Sequence, residues 1–498
     1  MKNIRSLFIL MVFSFAFSAC YKDKGNYEYT PVNELSFSNF DTENGYKTNF
    51  GELLTISPQI KGTLDPDGSK NGYTYEWSIQ IDGKDSVIST EKILNVRLEV
   101  PPGLYTLKLI VKDTASGVQY PVRTQLLLST KVFEGYMVLN DVNGKSRLDM
   151  ITYYRTDNVF EQHTDVLAEM NSALPVQGKP LQVYCMETEY FARTPQTYRI
   201  YMVTETGTYK IDPETFGYAA LNDFKYEMTG QIPTSFMPQG MICILQNGYM
   251  PLTFLAEGSN IYRREYGAPT FPYSPVNVYA GAGLPFKAFP QIAAITDKAV
   301  IFNMDKRTFT SAPFSSRNVT DMAPASGFPV GKDMVYMEGQ ASGNSYAVLK
   351  DPGTANYYFM KFQPSWPYVY YLDPMNATDI DKAEHFAVSP DLAYLFYSVG
   401  GKLYEYDNFL KTSFLMLDKG ASKITHISFQ RFFNRSVYAK YTEWSKLLIL
   451  GSYNPAVNEG SNGTLELYSV PAVNAALQLK NSWTGFGKIT SVSYRERN

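Results

Sequence analysis

The segment from His385 to Asp407 reads HFAVSPDLAYLFYSVGGKLYEYD. It contains three short apolar runs, which are separated by Ser389-Pro390-Asp391 and by Gly400-Gly401. Proline and paired glycines interrupt regular structure, whereas Tyr, Phe and Val favour the pleated surface of a sheet. The segment therefore predicts three short strands joined by tight turns, the last of which ends in an acidic residue.

The same pattern recurs beyond Lys131. Strand, turn and strand follow one another at residues 198–213, 259–264, 299–309, 345–350 and 447–468. The units repeat at roughly 45 to 60 residues, which is the spacing of blades in a β-propeller. A blade has two apolar faces and cannot bury them alone, so neighbouring blades must stack in a ring. We predict a propeller of about seven blades over residues 131–498; the alternative is several separate β-sandwiches.

The two ends of this region are predicted to meet. Gly487–Tyr494 has the alternation of a strand, and the first hairpin of the region lies around Tyr136–Leu139. Pairing between these two segments would latch the ring, because a strand from one end would complete the sheet that begins at the other.

Residues 32–130 have the pattern of a smaller β domain. Tyr73, Tyr75, Trp77 and Ile79 alternate and share one face of a strand, and Leu104–Val111 forms another strand. Roughly seven short strands with a Trp in a middle strand suit an immunoglobulin-like sandwich. The chain contains 39 tyrosines and 31 phenylalanines but only 4 tryptophans. Tyrosine at this level favours strands over helices. The predicted fold class is all-β, a sandwich followed by a propeller.

The amino terminus predicts secretion and lipidation. Lys2 and Arg5 precede an apolar run, Leu7–Phe17, that is far shorter than the roughly 20 residues of a membrane-spanning helix. Phe17-Ser18-Ala19-Cys20 resembles the lipobox of bacterial lipoproteins, which implies a signal peptide at residues 1–19, acylation of Cys20 and a tether at 20–31. Acyl chains hold a protein at a membrane through the burial of their CH₂ groups. The alternative is an ordinary signal peptide with an incidental cysteine.

Two strands and the amino terminus carry a family resemblance. The run Gly72–Trp77 and the later run Tyr105–Gly117 look like the paired strands of a PKD domain, although Ser78–Gly83 replaces the glycine-and-aspartate run that usually follows. Together with the lipobox and Tyr21–Tyr27, the chain resembles the PKD-like family lipoproteins of Bacteroidetes. The resemblance implies a surface-exposed lipoprotein of the outer membrane that assists a Sus-type uptake system. Its partners would be a glycan or peptide ligand and an outer-membrane transporter complex.

An aromatic segment is the predicted ligand-binding surface. Pro364 and Pro367 flank Trp366 and disfavour a central strand, so the segment is expected to be a rigid loop. Its rings, which stack on a sugar or a peptide in this interpretation, are Trp366, Tyr368, Tyr370 and Tyr371. The alternative is a linker between blades whose rings pack against their neighbours.

Charge and motifs exclude several function classes. The net charge is −3 and no run of Lys or Arg forms a nucleic-acid footprint, so no nucleic acid is expected as a partner. The three histidines, His163, His385 and His426, lack the spacing of metal ligands, and no nucleophile or nucleotide motif occurs. We therefore predict no cofactor, no metal and no enzymatic activity. The alternatives are a hydrolase or lyase in the propeller funnel and a protein-interaction scaffold.

Two cysteines remain beside Cys20. Cys185 and Cys243 allow at most one disulfide, and the sequence leaves open whether they pair.

Overall fold

The computed structural model of the chain describes residues 32–497. Short internal segments are excepted, namely 70–71, 82, 99, 101, 131, 156–157, 176, 188–197, 231, 233–235, 239, 247–249, 266, 295–297, 323–326, 341–342, 365–368 and 434–437. The signal peptide, Cys20 and the tether lie outside the described residues. Contacts divide the chain into two compact units, one ending at Leu128 and the other beginning at Ser129. In the described part, no helix has the length and apolarity to span a bilayer.

The first unit is a β-sandwich. One of its layers is a five-stranded sheet in the order β2-β9-β8-β5-β6, and the pairs β1-β4 and β3-β7 complete it. The strands are β1 (Leu35–Ser38), β2 (Tyr46–Asn49), β3 (Leu53–Ile56), β4 (Gln59–Gly62), β5 (Tyr73–Ile81), β6 (Lys84–Ser89), β7 (Leu94–Arg97), β8 (Gly103–Asp113) and β9 (Gln119–Ser129).

Trp77 is the centre of the sandwich core. It is fully buried on β5, and its indole Nε1 donates to the carbonyl of Glu91 at 2.9 Å. Ile56 from β3 and Leu94 from β7 pack in the same cluster as Trp77 and Leu109, so the core joins the large sheet to the small pairs. The predicted inward stripe of β5 is confirmed.

The second unit is a ring of sheets. Its described residues form seven sheets of three or four strands, which we number as blades 1 to 7, together with one parallel pair, β16-β20. Blade 1 contains β13 (Pro180–Glu187), β14 (Tyr198–Thr204) and β15 (Gly207–Ile211); blade 2 contains β17 (Gly240–Gln246), β18 (Met250–Glu257) and β19 (Asn260–Arg264); blade 3 contains β21 (Ala288–Ala294), β22 (Lys298–Asn303), β23 (Thr308–Pro313) and β24 (Thr320–Asp321).

The remaining blades have four strands each. Blade 4 contains β25 (Asp333–Gly339), β26 (Ser345–Lys350), β27 (Tyr357–Phe362) and β28 (Val369–Pro374); blade 5 contains β29 (His385–Val388), β30 (Leu395–Val399), β31 (Lys402–Asp407) and β32 (Thr412–Asp418); blade 6 contains β33 (Lys423–Phe429), β34 (Leu447–Tyr453), β35 (Gly463–Ser469) and β36 (Gln478–Phe486); blade 7 contains β37 (Lys488–Arg495), β10 (Gly135–Val142), β11 (Lys145–Tyr154) and β12 (Val159–His163). The parallel pair is β16 (Met228–Thr229) and β20 (Phe271–Pro272).

Helices are few and short in the described ranges. The α-helices are α1 (Val166–Glu169) and α2 (Ala439–Trp444), and the 3-10 turns include Ala220–Asn222, Phe224–Glu227 and Ile380–Lys382. The all-β prediction is confirmed.

The innermost strand of each blade contacts the innermost strand of the next, around a closed ring. These strands are β13, β17, β21, β25, β29, β33 and β37, and β37 in turn contacts β13. Both faces of a blade are buried, because successive residues of one strand enter different cores. Tyr136 and Val138 pack towards blade 6, whereas Met137 and Leu139 pack towards blade 1. In the described residues, every boundary between neighbouring blades holds one such core, so the propeller prediction is confirmed.

The carboxyl-terminal strand closes the ring as predicted. β37 pairs antiparallel with β10, and Tyr136 lies opposite Tyr494. Beside this seam the buried carboxylate of Glu134 accepts from the hydroxyl of Tyr494 at 2.9 Å and from Arg155 Nε at 2.5 Å. Arg497 continues the seam through its Nη2, which lies 2.5 Å from Glu214 Oε1. The seam thus joins both ends of the propeller through paired charges.

Glu134→Ala is expected to destabilise the propeller strongly. The substitution removes the carboxylate that accepts from Arg155 Nε and from the buried hydroxyl groups of Tyr441 and Tyr494, and breaking a buried pair costs about 3 to 5 kcal/mol. The change in free energy of unfolding is measured by urea denaturation of the full chain. Asp333→Ala is the control, because the Asp333–Arg307 pair is about half exposed and its loss should cost less than about 1 kcal/mol. Equal losses in the two variants would contradict this role for Glu134.

Candidate functional site

The candidate site is a cavity of about 400 Å³ where four neighbouring innermost strands begin. Its walls come from the starts of β13, β29, β33 and β37 and from the ends of β10 and β34. The lining residues are Asp141, Lys179, Pro180, Glu384, His385, Lys423, Ile424, Thr425, Tyr453, Lys488, Ile489 and Thr490. Blades 5, 6, 7 and 1 therefore all contribute, and the volume lies in the range of small-molecule sites.

The charged groups of the cavity are predominantly basic. Lys179, Lys423 and Lys488 enter it from blades 1, 6 and 7. In the described part of the chain, none of the three ammonium groups forms an ion pair with a carboxylate. Asp141 and Glu384 are the acidic groups of the lining, so the side chains carry one positive charge in excess when His385 is neutral.

His385 is neutral near pH 7. Burial lowers the pKa of its imidazole, and the charge of Lys488 acts in the same direction, against the carboxylate of Glu384. His426 lies on the next innermost strand, where its Nε2 is 2.8 Å from Ser428 Oγ. Burial lowers the pKa of His426 to about 3, and protonation of the neighbouring His385 would lower it further. Both imidazoles therefore serve as neutral polar groups.

The base of the cavity is closely packed. Thr425 Oγ1 donates to the carbonyl of Ile489 at 2.6 Å and joins the innermost strands of blades 6 and 7. A Cβ on Gly487 would lie 2.9 Å from the carbonyl oxygen of Asp141 and 2.7 Å from Val142 Cγ2, so glycine allows the close approach of this segment to β10. The Nζ of Lys488 lies 5.4 Å from the ring centroid of Tyr453. The packing fixes the backbone from which the basic side chains extend.

A second cavity, of about 340 Å³, lies between innermost strands of blades 1 to 4. Its polar groups largely bind one another: Met241 N donates to the hydroxyl of Tyr184 at 3.0 Å, and Met337 N donates to Gln291 Oε1 at 2.7 Å. The hydroxyl of Tyr336 donates to Glu338, whose pKa is raised by burial. Several hydrogen-bonding groups of this lining therefore already have partners within it, whereas Gln182 Oε1 is buried without one among the described residues.

The two cysteines are unpaired. Cys185 lies on β13 and Cys243 on β17, and both are buried free thiols whose pKa is raised by burial. In the described residues, no group of three or more His, Cys, Asp or Glu side chains is arranged to hold a metal ion.

The two described residues of the predicted aromatic segment, Tyr370 and Tyr371, are not part of the lining of the first cavity. Trp366 and Tyr368 are outside the described residues, and Tyr370 and Tyr371 lie on β28, the outermost strand of blade 4. The loop prediction is wrong for these two tyrosines, because β28 pairs with β27 as an edge strand, where prolines are tolerated. Tyr370 is 47% exposed beside Lys361, whereas Tyr371 packs against Phe359 with ring centroids 5.9 Å apart. The ligand-binding role of all four residues stays a prediction.

Sequence reasoning missed the basic residues of the cavity. Lys179, Lys423 and Lys488 each stand directly before an apolar residue at or near the start of an innermost strand. That shared position was the available signal. It becomes visible only when the innermost strand of each blade is known.

Comparison with known proteins supports the amino-terminal family resemblance. Residues 20–180 match the PKD-like family. The matched range covers the sandwich and continues through β10, β11 and β12 of the propeller. The resemblance drawn from the strand motifs is confirmed, and this architecture indicates a ligand-binding or interaction protein.

Solved structures of similar fold cover most of the chain. A quinoprotein alcohol dehydrogenase-like protein from Bacteroides thetaiotaomicron is 15% identical, with 91% of this chain and 96% of that chain covered and a TM-score of 0.43. A protein from Lactobacillus plantarum is 10% identical, with 73% of this chain and all 100% of that chain covered and a TM-score of 0.45. No curated protein matches the sequence.

His426→Gln is expected to make the free energy of unfolding depend less on pH below pH 6.5. The unfolded imidazole has a pKa near 6.5 and the folded one near 3, so below pH 6.5 the unfolded chain binds a proton that the folded chain excludes. Stability should fall by up to about 1.4 kcal/mol per pH unit from this group alone. Urea unfolding of both proteins at pH 7.5, 6 and 5 measures the difference. Parallel pH profiles would show that His426 is not excluded from protonation.

Proposed function

We propose that the protein is a lipid-anchored, surface-exposed lipoprotein of the outer membrane whose propeller binds a glycan or peptide. Binding takes place in the cavity of about 400 Å³ at the start of the innermost strands, and this cavity is the observation that carries the proposal. The bound molecule passes to a Sus-type uptake system, for which the protein is an accessory. The PKD-like match over residues 20–180 and the lipobox at Cys20 support this placement.

The geometry suits a binding protein. Four blades supply polar side chains to one concave site, and their backbones are held by ring closure, so little ordering is needed when a ligand enters. The lining offers both donors, such as Lys423 and Thr490, and acceptors, such as Asp141. A polar ligand can therefore exchange its hydrogen bonds with water for equivalent ones in the cavity.

A hydrolase or lyase is the second candidate function. Asp141, Glu384 and His385 line the same cavity, and carboxylates and an imidazole are the groups that perform general acid and base chemistry. In that case a bound oligosaccharide would be cleaved and not returned unchanged. Product analysis by mass spectrometry after incubation separates the two functions, with Glu384→Gln and His385→Asn as the variants that should abolish cleavage.

Thr490→Trp is expected to block ligand binding. Thr490 lines the cavity, and an indole there would take up part of the space available to a ligand and would clash with a molecule that fills the cavity. Glycan and peptide arrays with the full-length protein in detergent should show binding that falls at least tenfold in this variant. The matched control is Thr320→Trp, because Thr320 is exposed on β24, the outermost strand of blade 3.

Tyr370→Ala tests the rival location in the same arrays. Binding that survives Thr490→Trp but disappears in Tyr370→Ala would contradict the cavity and place the site on β28. Loss of binding in the Thr320→Trp control would show that the arrays report general damage to the fold.

Cys20→Ser is expected to release the protein from membranes. The variant lacks the thiol that would carry the lipid, and without acyl chains the chain loses the apolar burial that holds it at the bilayer. Detergent phase partitioning should move it from the detergent to the aqueous phase, and mass spectrometry should find acyl groups on Cys20 of the unaltered protein. An unmodified Cys20 in membrane fractions would contradict the anchor.

A further inference from the structure

The basic side chains of the cavity define the ligand class more narrowly. We propose that the ligand is an acidic saccharide, whose carboxylate is held by Lys179, Lys423 and Lys488 while its hydroxyl groups bind the rest of the lining. The inference rests on the proposed function, because it assigns a ligand to the same cavity.

Basic residues converge on this cavity. Three lysines from three different blades line it, and two carboxylates, Asp141 and Glu384, leave one positive charge in excess. The chain as a whole has a net charge of −3, so the cavity is opposite in sign to the protein that surrounds it. Like charges in one concave site repel each other and attract an anion.

Unlike several other lysines of the propeller, these three form no ion pair with a described carboxylate, and two of them, Lys179 and Lys423, are exposed. Lys419 lies 2.6 Å from Glu466, Lys210 lies 2.7 Å from Glu227, and Lys332 lies 2.6 Å from Asp351. Lys488 is half-buried and lies beside the ring of Tyr453, so packing restricts the position of its ammonium group. A ligand carboxylate would supply the missing counter-charge.

The rest of the lining favours a saccharide over an acidic peptide. Ile424 is 1% exposed and Ile489 is fully buried, so these two apolar side chains offer little surface to a ligand. The other apolar groups of the wall are the buried Pro180 and the half-buried ring of Tyr453, on which a sugar ring can stack. Beside the three lysines, the polar groups of the lining are hydroxyls, carboxylates and an imidazole, from Thr425, Tyr453, Thr490, Asp141, Glu384 and His385. A molecule covered with hydroxyl groups can both donate to and accept from such a surface.

The test uses trigalacturonate as the probe, with its methyl ester as the neutral counterpart. Calorimetric titration of the full-length protein in detergent should show binding of the acid, binding of the ester at least tenfold weaker, and an affinity for the acid that falls as salt is added. The variant K179Q/K423Q/K488Q should bind the acid at least tenfold more weakly. Lys382→Gln is the matched control, because Lys382 is an exposed lysine that pairs with Asp379. The affinity of this control variant for the acid should be unchanged.

The outcomes separate this inference from the proposed function. Equal binding of the acid and the ester, or an unchanged affinity in the triple variant, overturns the acidic ligand but leaves a cavity that Thr490→Trp still blocks. Tighter binding of triglutamate or of inorganic phosphate than of trigalacturonate overturns the saccharide. Binding of trigalacturonate that Thr490→Trp does not weaken overturns both. The single variant Lys423→Gln, at an exposed side chain, provides the same comparison if the triple variant has a lowered Tm.

Discussion

Every blade of the propeller must be covered on both faces, and the rest of the second unit depends on this constraint. Tyr136 and Met137 are neighbours in one strand, yet they belong to different cores, one shared with blade 6 and the other with blade 1. A row of blades would leave two apolar faces in water at its ends. Closing the row into a ring removes both exposed faces, since the last blade then covers the first.

Closure depends on residues that are far apart in the sequence. β37 completes the sheet that begins with β10, so blade 7 is complete only when the two ends of the propeller meet. Next to this pairing, Glu134 at the start of the unit binds Tyr494 near its end, and Arg497 reaches Glu214. Buried charges of this kind contribute specificity only when each has its partner, which is the case for Glu134. The hydrogen bonds and ion pairs beside the seam thus favour one register for the pairing of β10 with β37, which closes the hydrophobic ring.

Ring closure also creates the candidate site. The lining residues come from at or near the ends of strands in blades 5, 6, 7 and 1, and β37, which carries Lys488, lies beside β13 only in the closed ring. Strand ends are positions where the backbone has left the close-packed core, so polar and charged side chains are tolerated there. The same geometry that buries Ile424 and Ile489 places Lys423 and Lys488, their neighbours in the chain, at the cavity.

The sequence by itself determined the strand class, the blade repeat, the inward face of β5 and the pairing of the two propeller ends, because each depends on local alternation or on a repeat that is visible along one chain. It also predicted the PKD-like region from two strand motifs. Only the tertiary structure decided where a ligand can enter and that Cys185 and Cys243 remain apart. Lys179, Lys423 and Lys488 are separated by up to about three hundred residues, and which strand of a blade lies innermost is set by stacking around the ring and not by any local pattern. For the same physical reason, Tyr370 and Tyr371 lie on an edge strand that is paired with β27, and not in the loop that the neighbouring prolines predicted.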